Sequence, residues 1–207
     1  AFNAAMGQLF AAALRLAAVA GTVISLRPLF ERIRPLLEAT PGVAAVSPMV
    51  SGAGLAQRGE ATQAIALMGV ELDRYDRIVG LRNKIVDGVA RLGPGEAIIG
   101  TELAEDLGLR VGDRLTVQTG SVSDGARVTG LVDLGVRDLN RRTVIVPLRS
   151  AQSLLGLPGG ATTLDLTLTD PWAAQSLAET LARRWPYQVE SWQQANAQLV
   201  SALNAQT

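Results

Sequence analysis

The sequence predicts an α+β or mixed α/β fold with a discontinuous layout, on three observations. Strand-like and helix-like stretches alternate along the 207 residues. Nearly half the chain, 48%, is apolar, while aromatic residues make up 4%, so a real core is built mainly from Leu, Val, Ile and Ala. A charged, irregular stretch at 71–95, ending in Gly93-Pro94-Gly95, interrupts the pattern where the chain leaves one core and enters another. The first and last portions are then expected to share one core, and the middle to form a second.

The elements follow in order. Residues 2–17 are Ala-rich and read as a helix with Met6, Leu9, Phe10 and Leu14 on one face. Gly21–Leu26 is β-branched and reads as a short strand. Pro28 suits the first turn of a helix carrying Leu29, Ile33, Leu36 and Leu37, whereas Pro35 predicts a kink or break. Val43–Val70 reads as two strands joined at Arg58-Gly59-Glu60, with Gly52 and Gly54 marking a bend or bulge. A helical turn follows Glu71, and Lys84–Val89 is extended. Ala97–Ile99 is a strand. Thr101 is the expected N-cap of a short helix bearing Leu103, Ala104 and Leu107, and Gly108 its stop. Gly112-Asp113 turns the chain into a strand with Leu115 and Val117 on one face. Ser121–Gly125 is the expected hairpin turn before a strand at Arg127–Leu134. Asp138-Leu139-Asn140 reads as a turn, Thr143–Val146 as a buried strand, and Leu148–Leu155 as a helix. In Thr162–Thr169, Leu164, Leu166 and Leu168 alternate with Asp165 and Thr167. Asp170-Pro171 caps a helix lined by Ala174, Leu177, Ala178, Leu181 and Ala182. Tyr187–Glu190 is a short strand, and Ser191 caps a last helix from Trp192.

Composition excludes much chemistry. With no Cys and no His, thiolate metal sites, disulfides, cysteine nucleophiles and the usual catalytic triads are absent. Acidic and basic residues balance at 19 each and are scattered, which argues against nucleic acid as a partner. Glu102, Glu105 and Asp106 are close enough for a general acid/base pair, but a solvated helix start favoured by the helix dipole is the simpler reading. Asp138 beside Arg137, Arg141 and Arg142 reads as a surface turn. The glycines around Pro94 lack the Lys-Ser/Thr of a phosphate loop. Trp172, Trp185 and Trp192 suit core or interface packing. The run from Leu9 to Leu26 is broken by Arg15 and is a poor membrane span. The chain lacks an intact signal peptide, and both ends read as cut from continuing helices, as in a domain excised from a longer protein.

Several segments, in order, carry a family resemblance. TPGVAAVSP at 40–48, LMGV at 67–70, AIIGTELAEDLGLRVGD at 97–113, VTGLV at 128–132, PLRSAQSLL at 147–155 and SWQQAN at 191–196 resemble motifs of MacB/FtsX-type ABC-transporter permeases. The last of these is similar to the lipoprotein-releasing LolC/LolE branch. The order and spacing span nearly the whole chain.

The resemblance implies an α+β extracytoplasmic domain of an inner-membrane permease, on the periplasmic side, between two transmembrane helices. It implies a porter-like lobe at 21–72 and 141–190, an inserted β-rich sabre-like lobe at 73–140, and stalk helices at 1–20 and 191–207. Such a domain couples cytoplasmic ATP hydrolysis to periplasmic work such as lipoprotein release or substrate export. The implied partners are a cytoplasmic ATP-binding subunit, a second permease copy or paralogue, a periplasmic carrier or adaptor protein, and the membrane through the flanking helices. No catalytic residue, metal or cofactor is implied in this domain. Ser121, Val122, Ser123, Asp124 and Gly125 are the candidate partner contact, and Met6, Leu9, Phe10, Leu199 and Leu203 the candidate coupling seam of the stalk. The LolC type carries a long proline-containing hook at this hairpin that grips a lipoprotein carrier. Here the tip is short, and such a hook is absent. A carboxylate-dependent hydrolase using Glu102, Asp106 and Asp138, or a stand-alone binding module, are the alternatives from other classes.

Overall fold

The computed structural model describes residues 14–17, 27–185 and 188–195. Ten strands among them join into one sheet, in the order β10-β1-β9-β2-β3-β8-β5-β7-β4, with β6 pairing both β2 and β7. The strands are β1 (Leu14–Ala17), β2 (Val43–Arg58), β3 (Ala61–Val70), β4 (Ile85–Gly88), β5 (Glu96–Gly100), β6 (Arg114–Thr119), β7 (Val122–Val132), β8 (Thr143–Pro147), β9 (Thr163–Leu168) and β10 (Gln188–Ser191). The helices are α1 (Arg27–Glu38), α2 (Leu72–Val79), α3 (Thr101–Leu107), α4 (Arg137–Arg142), α5 (Leu148–Leu154), α6 (Ala174–Arg184) and α7 (Trp192–Ala195). Short 3₁₀ turns cover Leu81–Lys84 and Pro171–Ala173.

The pairing closes a ring. β2 meets β3, β3 meets β8, β8 meets β5, β5 meets β7, β7 meets β6, and β6 returns to β2. Each strand of the ring is thus paired on both sides over part of its length. The ring shares one core with α3 and α5, through Val50, Leu67, Ile99, Leu103, Leu107, Leu115, Val117, Val144, Ala151 and Leu154. Outside it, α1 and α6 pack on β9 and the first part of β2, burying Leu37, Val46, Leu166, Ala174, Ala178, Leu181 and Trp192. A third cluster, with Met49, Val70, Tyr75, Leu81, Ile98 and Ile145, brings α2 onto the strands between these two cores. β2 and β3 therefore serve the ring as well as the segment that precedes it.

Several expectations are corrected. The Ala-rich stretch expected as a helix over 2–17 and as a stalk over 1–20 holds strand β1 at Leu14–Ala17, paired antiparallel with β9 on one edge and β10 on the other. Ladder bonds on both edges outweigh helix propensity, which is a weak prior. α1 runs through Pro35 to Glu38 without a break. Pro35 falls in the last turn, where it removes a single ladder bond, and its own carbonyl accepts from Ala39 N–H at 3.0 Å. Gly52 and Gly54 cause no bulge: β2 and β3 stay in register from Met49↔Val70 to Arg58↔Ala61. They serve close approach instead, since a Cβ at Gly54 would lie 2.8 Å from the Gln118 carbonyl oxygen. The N-cap of α3 is Gly100, not Thr101. Asp138-Leu139-Asn140 is helical, within α4, and not a turn. Asp165 is buried on the face of β9 opposite its leucines, because α2 covers that face of β2 and β9.

Other readings agree with the structure. Gly59-Glu60 joins β2 and β3, with Gly59 at φ +58°. Gly108 closes α3 in the left-handed region. Asp170 accepts from Trp172 N–H at 2.9 Å. Ser191 and Gln194 form a reciprocal capping box: Gln194 N–H donates to Ser191 Oγ (3.2 Å), and Ser191 N–H to Gln194 Oε1 (3.0 Å). The strand at Gly21–Leu26, and the seam positions Met6, Leu9, Phe10, Leu199 and Leu203, lie outside the described residues.

Candidate docking surface

The sequence reading made Ser121–Gly125 a loop tip. The structure puts the turn one residue earlier and makes it shorter. Thr119 pairs with Val122, so the loop is Gly120-Ser121 alone, and Val122–Gly125 already belong to β7. Gly120 has φ +56° and Ser121 is not among the positive-φ residues, as a type II′ turn requires. The Gly-Ser pair between two alternating runs was the signal for a two-residue hairpin.

The tip is tied down from below. Thr119 is buried, and its hydroxyl donates to the Leu154 carbonyl at the end of α5. Gln118 Nε2 donates to the Gly120 carbonyl at 3.1 Å, and Gln57 Nε2 donates to Gln118 Oε1 at 3.3 Å. Residues 121–125 are all exposed, Val122 at 46%. Asp124 Oδ1 accepts from Gly125 N–H at 2.8 Å, and Asp124 has no ion pair among the described residues. The surface is thus an exposed strand on a rigid support, with one apolar and one acidic side chain.

The carboxylates named in the sequence do come near arginines, through the packing of α3 on α4. Arg141 Nε sits 2.9 Å from Asp106 Oδ2, which also accepts from Gln63 Nε2 at 3.1 Å. Glu102 Oε2 accepts from Thr101 Oγ1 at 2.7 Å, and Glu102 Oε1 lies 3.7 Å from Arg137 Nε. The Thr101 bond, helped by Asn140 and Arg137, holds the Glu102 carboxyl below its usual range. A carboxylate held ionised in this way is a poor proton donor near neutral pH. Asp138 is 86% exposed at its side chain and 3.9 Å from Arg141, with no place in a shared site. Glu105 is also exposed. Among the described residues, no group of three or more acidic side chains is placed to hold a metal ion.

Sequence reasoning missed two organising side chains. Asn140 is 2% exposed; its Oδ1 accepts from Leu134 N–H and its Nδ2 donates to Asp133 Oδ1, both at 2.8 Å. That bond, with one from Gly135 N–H, lowers the Asp133 carboxyl from its ordinary value. Arg74 on α2 reaches Glu38 at the end of α1 (2.6 Å) and Glu71 (2.9 Å). No local pattern marks either residue, because each acts across elements. Arg74 also lines an open cleft of about 730 Å³ beneath α2, with Arg77, Arg82, Arg91, Leu72 and Leu92. Its arginines are largely matched in place: Arg82 to Asp73 and Asp76, Arg91 to Glu96.

A family model for the MacB-like periplasmic core domain matches residues 4–184. The chain belongs to this family. It is the periplasmic domain of an ABC-transporter permease, on the periplasmic side of the inner membrane. The lipoprotein-releasing system transmembrane protein LolC of Neisseria meningitidis is 29% identical over 178 residues, covering 78% of this chain and 43% of that protein. The corresponding LolE protein of Haemophilus influenzae is 25% identical over 170 residues, covering 76% and 41%. The chain therefore spans less than half the length of these relatives. In fold, the MacB-like domain is similar to the periplasmic region of MacB from Actinobacillus actinomycetemcomitans, with a TM-score of 0.63 at 14% identity, over 93% of this chain and 94% of that one. It is also similar to the extracellular domain of the noncanonic ABC-type transporter YknZ from Gram-positive bacteria, with a TM-score of 0.59 at 17% identity, over 86% and 98%. Among the described residues, no helix is long and apolar enough to cross a membrane.

Proposed function

We propose that this domain is a non-catalytic coupler that transmits ATP-driven motion to a protein on the periplasmic side. The energy comes from a cytoplasmic ATP-binding subunit, and the permease works with a second copy or a paralogue. The observation that carries the reading is the placement of the chain ends. β1 and β10 pair antiparallel, Leu14↔Ser191 through Ala17↔Gln188, at one end of a sheet whose pairing continues without interruption into the ring. β1 and β10 are thus bound to each other by ladder bonds, and a displacement applied to them is carried by a stiff hydrogen-bonded sheet. Outside β1 and β10, the remaining parts of segments 1–20 and 191–207 connect this edge to the membrane, with Met6, Leu9, Phe10, Leu199 and Leu203 in the seam. The lobes divide at 21–72 with 141–190, against 73–140.

The output surface in this reading is Ser121, Val122, Ser123, Asp124 and Gly125. It docks a periplasmic carrier or adaptor, and the work is lipoprotein release or export of another substrate. The names of the LolC and LolE relatives favour lipoprotein release. The two-residue turn leaves no room for a long hook at this hairpin, so the carrier would be met by the strand and not by an inserted loop. The test is a photo-crosslinking residue at Val122 in the full-length permease with its ATP-binding subunit. Adducts to a periplasmic protein that change between nucleotide-free and ATP-trapped states are expected. Contact with solvent alone in every nucleotide state would remove the docking surface from this account.

A further inference from the structure

The exposed strand has an unused hydrogen-bonding edge, and its parity can be worked out. Arg127 N–H donates to the Gly95 carbonyl at 2.8 Å, so the main-chain groups of Arg127 point toward β5. The β6–β7 register runs without a shift from Thr119↔Val122 to Arg114↔Arg127. Residues two apart on a strand direct their main-chain groups the same way. Gly125 and Ser123 therefore also present their N–H and C=O groups on the β5 side, while Val122 and Asp124 bond to β6.

On that side no main-chain bond from another described strand reaches Ser123 or Gly125. Pairing of β5 with β7 begins at Glu96↔Arg127. Upstream the chain turns away, with Glu96 N–H donating to the Gly93 carbonyl at 3.0 Å and Gly95 at φ +70°. Gly95 borders the lane beside β7 at one end, where a Cβ built on it would lie 3.9 Å from the Gly125 carbonyl oxygen. Among the described residues, the outward N–H of Gly125 donates only to its own neighbour, Asp124 Oδ1, at 2.8 Å.

From this geometry we infer that β7 takes an added strand at Val122–Gly125, supplied by an extended segment of a periplasmic protein partner. The inference rests on the docking surface proposed above and names how it binds. The incoming backbone bonds to Ser123 and Gly125, continuing the lane that β5 vacates. Main-chain bonds supply affinity, and side chains on one face supply selection. Val122 and Asp124 lie on one face of β7, so the complementary segment carries an apolar and a basic residue two positions apart. Asp124 is exposed without an ion pair among the described residues, and it exchanges its local bond to Gly125 for a bond to the incoming cation.

The experiment separates main-chain from side-chain docking. The probe is a synthetic threonine-rich pentapeptide with one valine and one lysine two positions apart, titrated into the 207-residue chain and followed by amide NMR shifts. Shifts at Ser123 and Gly125 are expected. Ser123→Pro removes an outward N–H without touching the β6 ladder, and edge strands accept proline. It should weaken binding about tenfold, the effect of losing one useful hydrogen bond. Ser123→Ala should leave binding unchanged, and Asp124→Lys should transfer preference to the glutamate version of the peptide. Equal loss in Ser123→Pro and Ser123→Ala, or no shift at Ser123 and Gly125 with millimolar peptide, overturns strand addition. The surface itself is judged separately by the Val122 crosslink: adducts that persist in full-length Ser123→Pro leave the surface standing and sink the added strand.

Discussion

Gly100 is the position where one methyl group should do most damage. It ends β5, caps α3, and lies directly against the backbone of α4. A Cβ built there would stand 2.5 Å from the Asn140 carbonyl carbon and 2.6 Å from Asn140 Cα, and closer still to the carbonyl oxygen. Carbon atoms rest about 3.5–4.0 Å apart, so α4 must retreat by roughly 1 Å. Backbone cannot rotate away as a side-chain tip does. The retreat also pulls on Asn140, whose side chain holds Leu134 N–H and Asp133. Overpacking costs about 1–3 kcal/mol, and the rigid contact puts Gly100→Ala at about 3 kcal/mol. For a chain of this size each kcal/mol moves Tm by about 2–4 °C, so a fall of about 6–12 °C is expected. Gly125→Ala is the matched control, since a Cβ there meets nothing within 4 Å. Thermal and urea unfolding of both variants measure the difference. If Gly100→Ala unfolds within 1–2 °C of the control, about the effect of half a kcal/mol, the steric reasoning fails.

Asn140→Ala removes the side-chain acceptor of the Leu134 N–H and the donor to Asp133, and should cost about 1–3 kcal/mol in urea unfolding. Ser191→Ala removes one half of the capping box that starts α7 and should cost about 1 kcal/mol, read as faster amide exchange at Gln194. Arg74→Ala should cost at most about 1 kcal/mol by the same unfolding assay, because its carboxylate partners are more than a third exposed. Asp133 and Glu96 both have depressed folded-state pKa values, the first from the Asn140 bond and the second from Arg91. Their contribution is present above the unfolded carboxylate pKa, about 3.9–4.3, and is lost as pH falls through the folded values. The Tm of the wild type should therefore fall faster than that of Asp133→Asn as pH drops below about 4.

What the sequence disclosed was mostly local chemistry. Arg58-Gly59-Glu60, Gly108 and Asp170-Pro171 each punctuate the chain through one backbone or one side-chain effect, and each lies where expected. What it concealed depends on partners far along the chain. β1 is a strand because β9 and β10 flank it, and nothing in LRLA announces those neighbours. Asp165 sits in an alternating pattern that promises one solvated face, yet α2 closes over that face. Asn140 looked like a turn residue because Asp-Leu-Asn is turn-like in isolation. The candidate contact segment Ser121–Gly125 was read as a polar loop tip, but a polar run was taken for a loop when Gly120-Ser121 alone sufficed to turn the chain.

β2 explains how a division into lobes can coexist with one sheet. Its 16 residues span about 50 Å at the usual rise, and it enters all three buried clusters, with Val46 in the one under α1 and α6, Met49 in the third and Val50 in the ring. One edge is held by β3 from Met49 to Arg58. The other is held by β9 from Val43 to Met49 and by β6 from Leu55 to Gln57. Between Val50 and Gly54 the second ladder is missing, although Thr162 Oγ1 accepts from Ser51 N–H at 2.9 Å. That stretch contains Gly52 and Gly54, each close against a neighbour: a Cβ at Gly52 would stand 2.5 Å from Leu155 Cδ2. Two packed glycines in a singly laddered segment place the softest point of the strand between the two cores. Sliding of β2 along β3 would break the ten-pair register, so this segment yields by bending and not by slipping.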